Sequence, residues 1–132
     1  VILDTNVLLR ALDGDPGAQG QAARARIAQA REDGRQLTVL AATVLEVAYV
    51  LESPRAGYGW PRDAVADAIT AVTEDPALEV ERADALRTAV TEYRARSVDL
   101  HDCLLNAVAA ERDTAVLSFD EDLRRMGHHE FP

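Results

Sequence analysis

The sequence contains no lysine: all 14 of its basic residues are arginine, set against 23 acidic ones for a formal net charge of −9. That balance excludes a protein that coats nucleic acid by bulk charge, so any nucleic-acid partner has to be gripped by local arginine clusters. A single cysteine, Cys103, excludes an internal disulfide. It falls on an apolar helical stripe and is expected to fill core space in a reducing cytosol. No apolar run approaches the length needed to cross a bilayer, and no basic-then-apolar leader opens the chain. The expectation is a cytoplasmic protein without membrane association. At 132 residues, 48% of them apolar, the chain has the makings of one core of ordinary size, and a single domain over 1–132 is expected.

What is there is an alternation of short apolar segments with helical periodicities. Val1-Ile2-Leu3 reads as a buried strand ending at Asp4. Val7, Leu8, Ala11 and Leu12 then recur at helical spacing until Gly14-Asp15-Pro16-Gly17 breaks the pattern. Helix is predicted from Gln19 to Arg31, strand from Leu37 to Ala41, helix from Val44 to Leu51, and loop from Ser53 to Pro61. A helix from Arg62 to Val72, a weak strand at Leu78-Glu79-Val80, and helices from Ala83 to Arg96 and Leu100 to Glu111 follow. Ala115-Val116-Leu117 reads as strand, Glu121 to Met126 as a short helix, and Glu130-Phe131 as a marginal last strand. Short apolar strands alternating with helices predict the α/β class, doubly wound, with a short parallel sheet covered on both faces. Ligands of such folds collect at the carboxyl ends of the strands.

Four acids are expected at that edge. Asp4 follows the first strand, and Glu46 is placed in the first turn of the helix after the second. Asp102 starts a helix that runs back into a strand, and Asp120 follows that strand. Carboxylates crowded together raise one another's pKa unless a cation compensates them. An all-oxygen set calls for a hard cation, magnesium or manganese. Water activated there would attack a phosphodiester phosphorus, with one cation or with two about 3.5–4 Å apart.

Each acid also has a plainer explanation. Thr43-Val44-Leu45-Glu46 and Ser118-Phe119-Asp120-Glu121 both fit the capping-box pattern, and Asp99 suits the cap of the helix containing Asp102. Glu46 is the most telling, because its sequence neighbours are apolar and a buried ion there needs a partner; Asp4, ending a buried strand, has the same need.

The strings Ile2-Leu3-Asp4-Thr5-Asn6-Val7-Leu8-Leu9, Leu45-Glu46-Val47-Ala48-Tyr49-Val50-Leu51, Val98-Asp99-Leu100-His101-Asp102-Cys103 and Leu117-Ser118-Phe119-Asp120-Glu121-Asp122-Leu123 together resemble PIN-domain proteins, especially VapC-type toxins of toxin–antitoxin pairs. The resemblance spans essentially the whole chain. It implies a three-layer α/β/α sandwich and magnesium- or manganese-dependent endonucleolytic cleavage of RNA. Asp4, Glu46, Asp102 and Asp120 match the acidic quartet. Asn6 matches a polar position expected to orient Asp4 or a water, and Ser118 a hydroxyl position that supports the last acid. Asp99 and Asp122 stand close enough in sequence to share these contacts. His101 is expected as a solvated residue at a helix start, and His128 and His129 as exposed tail residues.

The resemblance further implies a homodimer silenced by a cognate antitoxin protein whose C-terminal segment lies over the acidic crevice. Two divalent cations would neutralise about four of the negative charges. RNA would then meet local arginines, of which Arg24, Arg26, Arg31 and Arg35 are the densest set and Arg124-Arg125 the nearest to an acid. Any single one of them reads first as part of a solvated helix face. A haloacid-dehalogenase-like phosphatase needs a second aspartate where Asn6 stands and a lysine later; a receiver domain also depends on lysine, and both are disfavoured. A PIN nuclease of RNA maturation or decay, and a non-catalytic PIN-like module that binds RNA or protein, remain as alternatives.

Overall fold

Helices account for most of residues 1–132, all of which are described by a computed structural model. The chain forms two compact units, Val1–Glu81 and Arg82–Pro132.

The first unit is organised around β1 (Leu37–Val39), which pairs in parallel with β2 (Leu78–Val80) in the register Leu37 with Leu78 and Val39 with Val80. On the other side of β1, Ile2 forms a parallel bridge to Thr38. Leu3 N–H donates to the Thr38 carbonyl and Thr38 N–H to the Val1 carbonyl, each at 2.8 Å. The first strand is therefore paired where it was expected, but only over a bridge. Of its three residues Leu3 alone is buried, and Ile2 is 63% exposed.

Four helices complete this unit. In α1 (Thr5–Leu12) Leu8 and Leu9 face inward; in α2 (Ala18–Glu32) Ala23, Ile27 and Ala30 do so at spacings of four and three. The same spacing buries Val44, Val47, Ala48 and Leu51 of α3 (Ala41–Glu52) and Val65, Ala66, Ile69 and Val72 of α4 (Arg62–Glu74). Helix α1 packs on α2 and α3, and α4 on α3 and β2. Pro61 precedes α4 with φ −65°, the angle a helix entrance requires.

Two connections are built by side chains. Between α1 and α2, Asp13 Oδ1 accepts from Asp15 N–H and Asp15 Oδ1 from Gly17 N–H, at 2.8 and 2.9 Å. Arg24 reaches back from α2 to the Asp15 carbonyl at 2.7 Å and the Arg10 carbonyl at 3.3 Å. Gly20 lies so close under this turn that a Cβ there would run into the Asp15 carbonyl. The expected loop at 53–61 is moored to α1 by Tyr58, whose hydroxyl donates to Asp13 Oδ2 at 2.8 Å. That bond, followed by burial, raises the phenol above its ordinary pKa.

In the second unit α5 (Ala83–Ala95) and α6 (Leu100–Glu111) pack as a pair, burying Leu86, Ala89, Val90 and Tyr93 on one side and Cys103, Leu104 and Ala107 on the other. Cys103 is fully buried, as its place on the apolar stripe implied. β3 (Val116–Leu117) and β4 (His129–Glu130) flank α7 (Glu121–Met126) and pair in parallel. The last strand begins one residue earlier than expected, which makes His129 part of it rather than an exposed tail residue. Half-buried, its Nε2 lies 2.7 Å from the Ser118 carbonyl and its ring meets Phe131 edge-on at 4.6 Å.

The α/β class and the parallel pairing are as expected. The strand hydrogen bonds form two pairs, β1–β2 and β3–β4. No helix is long and apolar enough to cross a membrane.

Candidate active site

Asp4 is the residue that enters α1. Its backbone is extended, its carbonyl accepts from Val7 and Leu8 at 3.1 and 3.2 Å, and its side chain makes no capping bond. Asp4 is exposed rather than trapped at the end of a buried strand, because that strand is itself open, with Val1 and Ile2 both exposed. Asn6, expected to orient it, is exposed and lines a groove of about 370 Å³ between α1 and α2 with Val7, Arg10, Ala23 and Arg26.

Glu46 is also exposed. It lies in the second turn of α3, not the first, because the helix begins at Ala41, two residues before the Thr43 taken as its cap. The first turn is served instead by Glu81, whose Oε1 accepts from Ala41 N–H at 3.1 Å. Thr43 is thus inside the helix and no capping box forms. What holds Glu46 is Thr5, at the start of α1, whose hydroxyl donates to Oε2 at 2.7 Å. Asp4 and Glu46 are linked in this way through a single residue, Asp4's neighbour in the chain.

In the second unit Asp102 sits in the first turn of α6 and is half-buried. Burial, followed by the negative charges of Asp120 and Asp99, pushes its carboxyl above the usual carboxylate range; His101 opposes the shift and Asp122 adds to it. Asp120 is the N-cap of α7. Its Oδ1 accepts from Asp122 N–H at 2.8 Å, and its own N–H donates to Ser118 Oγ at 3.0 Å. The helix start read from Ser118 therefore belongs to Asp120, and Ser118 supports that aspartate through its backbone. Asp99 occupies the N-cap position of α6 with no side-chain cap bond, so the capping task expected of it is not performed.

Arginines neutralise the neighbours of this pair but not the pair itself. Arg124 binds Glu121 at 3.3 Å and Arg125 binds Asp122 at 3.4 Å, while Asp102 and Asp120 have no arginine partner. Arg24 is engaged with backbone carbonyls and Arg31, itself exposed, pairs with Asp75 at 2.7 Å, which leaves Arg26 and Arg35 as the exposed members of that cluster without a side-chain partner.

Within neither unit do three or more acidic, histidine or cysteine side chains gather as a metal cage. The Asp102–Asp120 pair nonetheless fits a hard divalent cation. It supplies only oxygen donors and has no arginine to balance its negative charge; magnesium characteristically takes one or two carboxylates and completes its shell with water. A further oxygen belongs to this part of α6: Asn106, 9% exposed, has a buried Oδ1 with no hydrogen-bond partner.

Thr5 and Asn106 were not among the residues singled out from sequence. Asn106 carried a readable signal, an amide on an otherwise apolar stripe four residues after an acid. Thr5 carried little, since its bond is made across 41 residues.

No curated protein matches the chain significantly. The sequence profile of the PIN domain matches residues 1–129, nearly the full length. PIN domains are generally nucleases, hydrolases of phosphodiester bonds. With an α/β fold, parallel strand pairs and a family match from end to end, the chain belongs to the PIN-domain family.

Proposed function

We propose that the chain is a magnesium- or manganese-dependent endoribonuclease, the VapC-type toxin of a toxin–antitoxin pair acting in the cytoplasm. What supports metal dependence most is the electrostatics of Asp102: partly desolvated, beside Asp120, and without an arginine to balance it. A divalent cation would supply Lewis-acid activation of water and charge compensation at the scissile phosphate.

The chain's own residues divide the remaining work. Asp102 and Asp120 hold the cation, Asp120 being fixed by the Asp122 N–H so that its second oxygen is free to bind. Ser118 fixes the backbone of Asp120. Asp4 and Glu46 are the further carboxylates assigned by the family resemblance, Glu46 being held by the Thr5 hydroxyl. Asn6 takes the supporting role implied for the polar position after Asp4. RNA is the substrate, two copies form a homodimer, and a cognate antitoxin protein silences the enzyme.

The test is cleavage of an internally labelled RNA by purified protein. Cleavage is expected with Mn²⁺ or Mg²⁺ and should stop with EDTA. Asp4→Asn and Asp120→Asn should each lower it by more than the roughly 10- to 100-fold typical of outer-shell changes, with circular dichroism unchanged. Undiminished cleavage by either variant defeats the site. Harmless expression of the chain alone, with no small partner gene beside its own, defeats the toxin assignment.

A further inference from the structure

Asn106 is the buried polar side chain of α6 whose oxygen is left without a partner: it is 9% exposed, and its covered Oδ1 accepts no hydrogen bond. A buried acceptor without a donor destabilises a fold, so each instance in a native protein calls for an ion, a water or a functional group to complete it.

Its position on the helix narrows the choice. Asn106 lies four residues after Asp102, on the same face of α6, and side chains of a helix lean back over the preceding turn. The amide is therefore directed toward the turn that carries Asp102, the acid that stands within the field of Asp120. An ionised carboxylate carries no hydrogen to donate to Asn106. A water bound to a cation does have hydrogens to donate, since its oxygen faces the cation and its hydrogens face away.

We propose that Asn106 Oδ1 accepts a hydrogen bond from a water in the shell of the divalent cation held by Asp102 and Asp120, and so serves as a positioning residue of that site. This inference rests on the metal-dependent reading of the same acids. It gives the unpaired acceptor a donor that is present only when the cation is.

Two signatures follow, neither of which requires RNA. Without metal, Asn106→Leu removes an unsatisfied polar atom in favour of an apolar side chain of similar size, and should melt at or above the wild-type temperature. In calorimetric titration with MnCl₂ it should bind about 10- to 100-fold more weakly, the range typical of outer-shell changes. Asn106→Asp keeps an acceptor oxygen at the same place and should bind Mn²⁺ at least as tightly as wild type. That variant also carries the test if leucine is not accommodated.

An Asn106→Leu variant with wild-type Mn²⁺ affinity overturns the proposal, as does an Asn106→Asp variant that binds weakly. Asp102→Asn separates two kinds of failure. If wild type binds Mn²⁺ and Asp102→Asn does not, unchanged affinity in Asn106→Leu refutes the role of Asn106 alone. If wild type and Asp102→Asn behave alike, the cation site is wrong and the role of Asn106 falls with it.

Discussion

Thr5 Oγ1 donates to Glu46 Oε2 at 2.7 Å, joining residues 41 apart in the chain. The bond leaves the second carboxylate oxygen of Glu46 free and limits the rotamers of a long side chain on an exposed helix face. Thr5→Val keeps the β-branched shape and removes only the donor. It should lower RNA cleavage about 10-fold, within the range for losing a hydrogen bond that orients a functional carboxylate, while the melting temperature stays nearly constant. Thr5→Ser should restore most of the rate. A Thr5→Val enzyme as fast as wild type shows that orienting Glu46 is not required.

Asp102 makes stability depend on pH in the direction opposite to that of a salt-bridged aspartate. Its folded pKa is raised, by burial first and by Asp120 and Asp99 next, so the folded metal-free chain holds this proton more tightly than the unfolded chain does. The associated stability is fully present below the unfolded value of about 3.9 and is lost as pH rises through the higher folded value. Asp102→Asn has no proton to lose and escapes that loss. In EDTA it should melt close to wild type in acid and above wild type at pH 7, a trend that thermal melts across this range will measure. Mn²⁺ favours the ionised form, so metal binding should release protons and weaken on acidification.

Gly20 offers a test of the α1–α2 connection. Alanine is ordinarily better than glycine inside a helix by about 1 kcal/mol. Here its Cβ would meet the Asp15 carbonyl, a backbone atom held by Arg24, and the turn cannot yield without losing that bond. Overpacking of this kind costs about 1–3 kcal/mol, so Gly20→Ala should be less stable in urea denaturation despite its better propensity. A gain in stability shows that the turn relaxes freely.

Much of the fold was legible because packing leaves a periodic trace. The helices Leu100–Glu111 and Glu121–Met126 and the strand Leu78–Val80 fall where apolar spacing and breakers placed them. The start of α3 was not legible, since Thr43-Val44-Leu45-Glu46 imitates a cap while the true first-turn partner is Glu81, 40 residues from Ala41. The burial inferred for Glu46 failed for a related reason. Apolar neighbours in sequence alternate around a helix, and Val44, Val47, Ala48 and Leu51 turn inward while Glu46 and Tyr49 turn out. Asp99 misled similarly: a residue in the capping position need not use its side chain. Asp102 stands in the first turn of α6 as expected, but its unbalanced charge emerges only once α6 and α7 have folded together, and the missing donor of Asn106 is invisible until the surrounding atoms are in place.

The Tyr58–Asp13 mooring also gives the molecule an optical reporter of its own. Trp60, its sole tryptophan, stands edge-on to Tyr58 at 6.4 Å, and its N–H backbone is tied to the Leu51 carbonyl at 2.8 Å. Indole emission therefore originates from the loop at 53–61 and from nowhere else, so attachment or release of that loop from α1 is readable as intrinsic fluorescence, without a label, in the same cuvette in which metal is titrated.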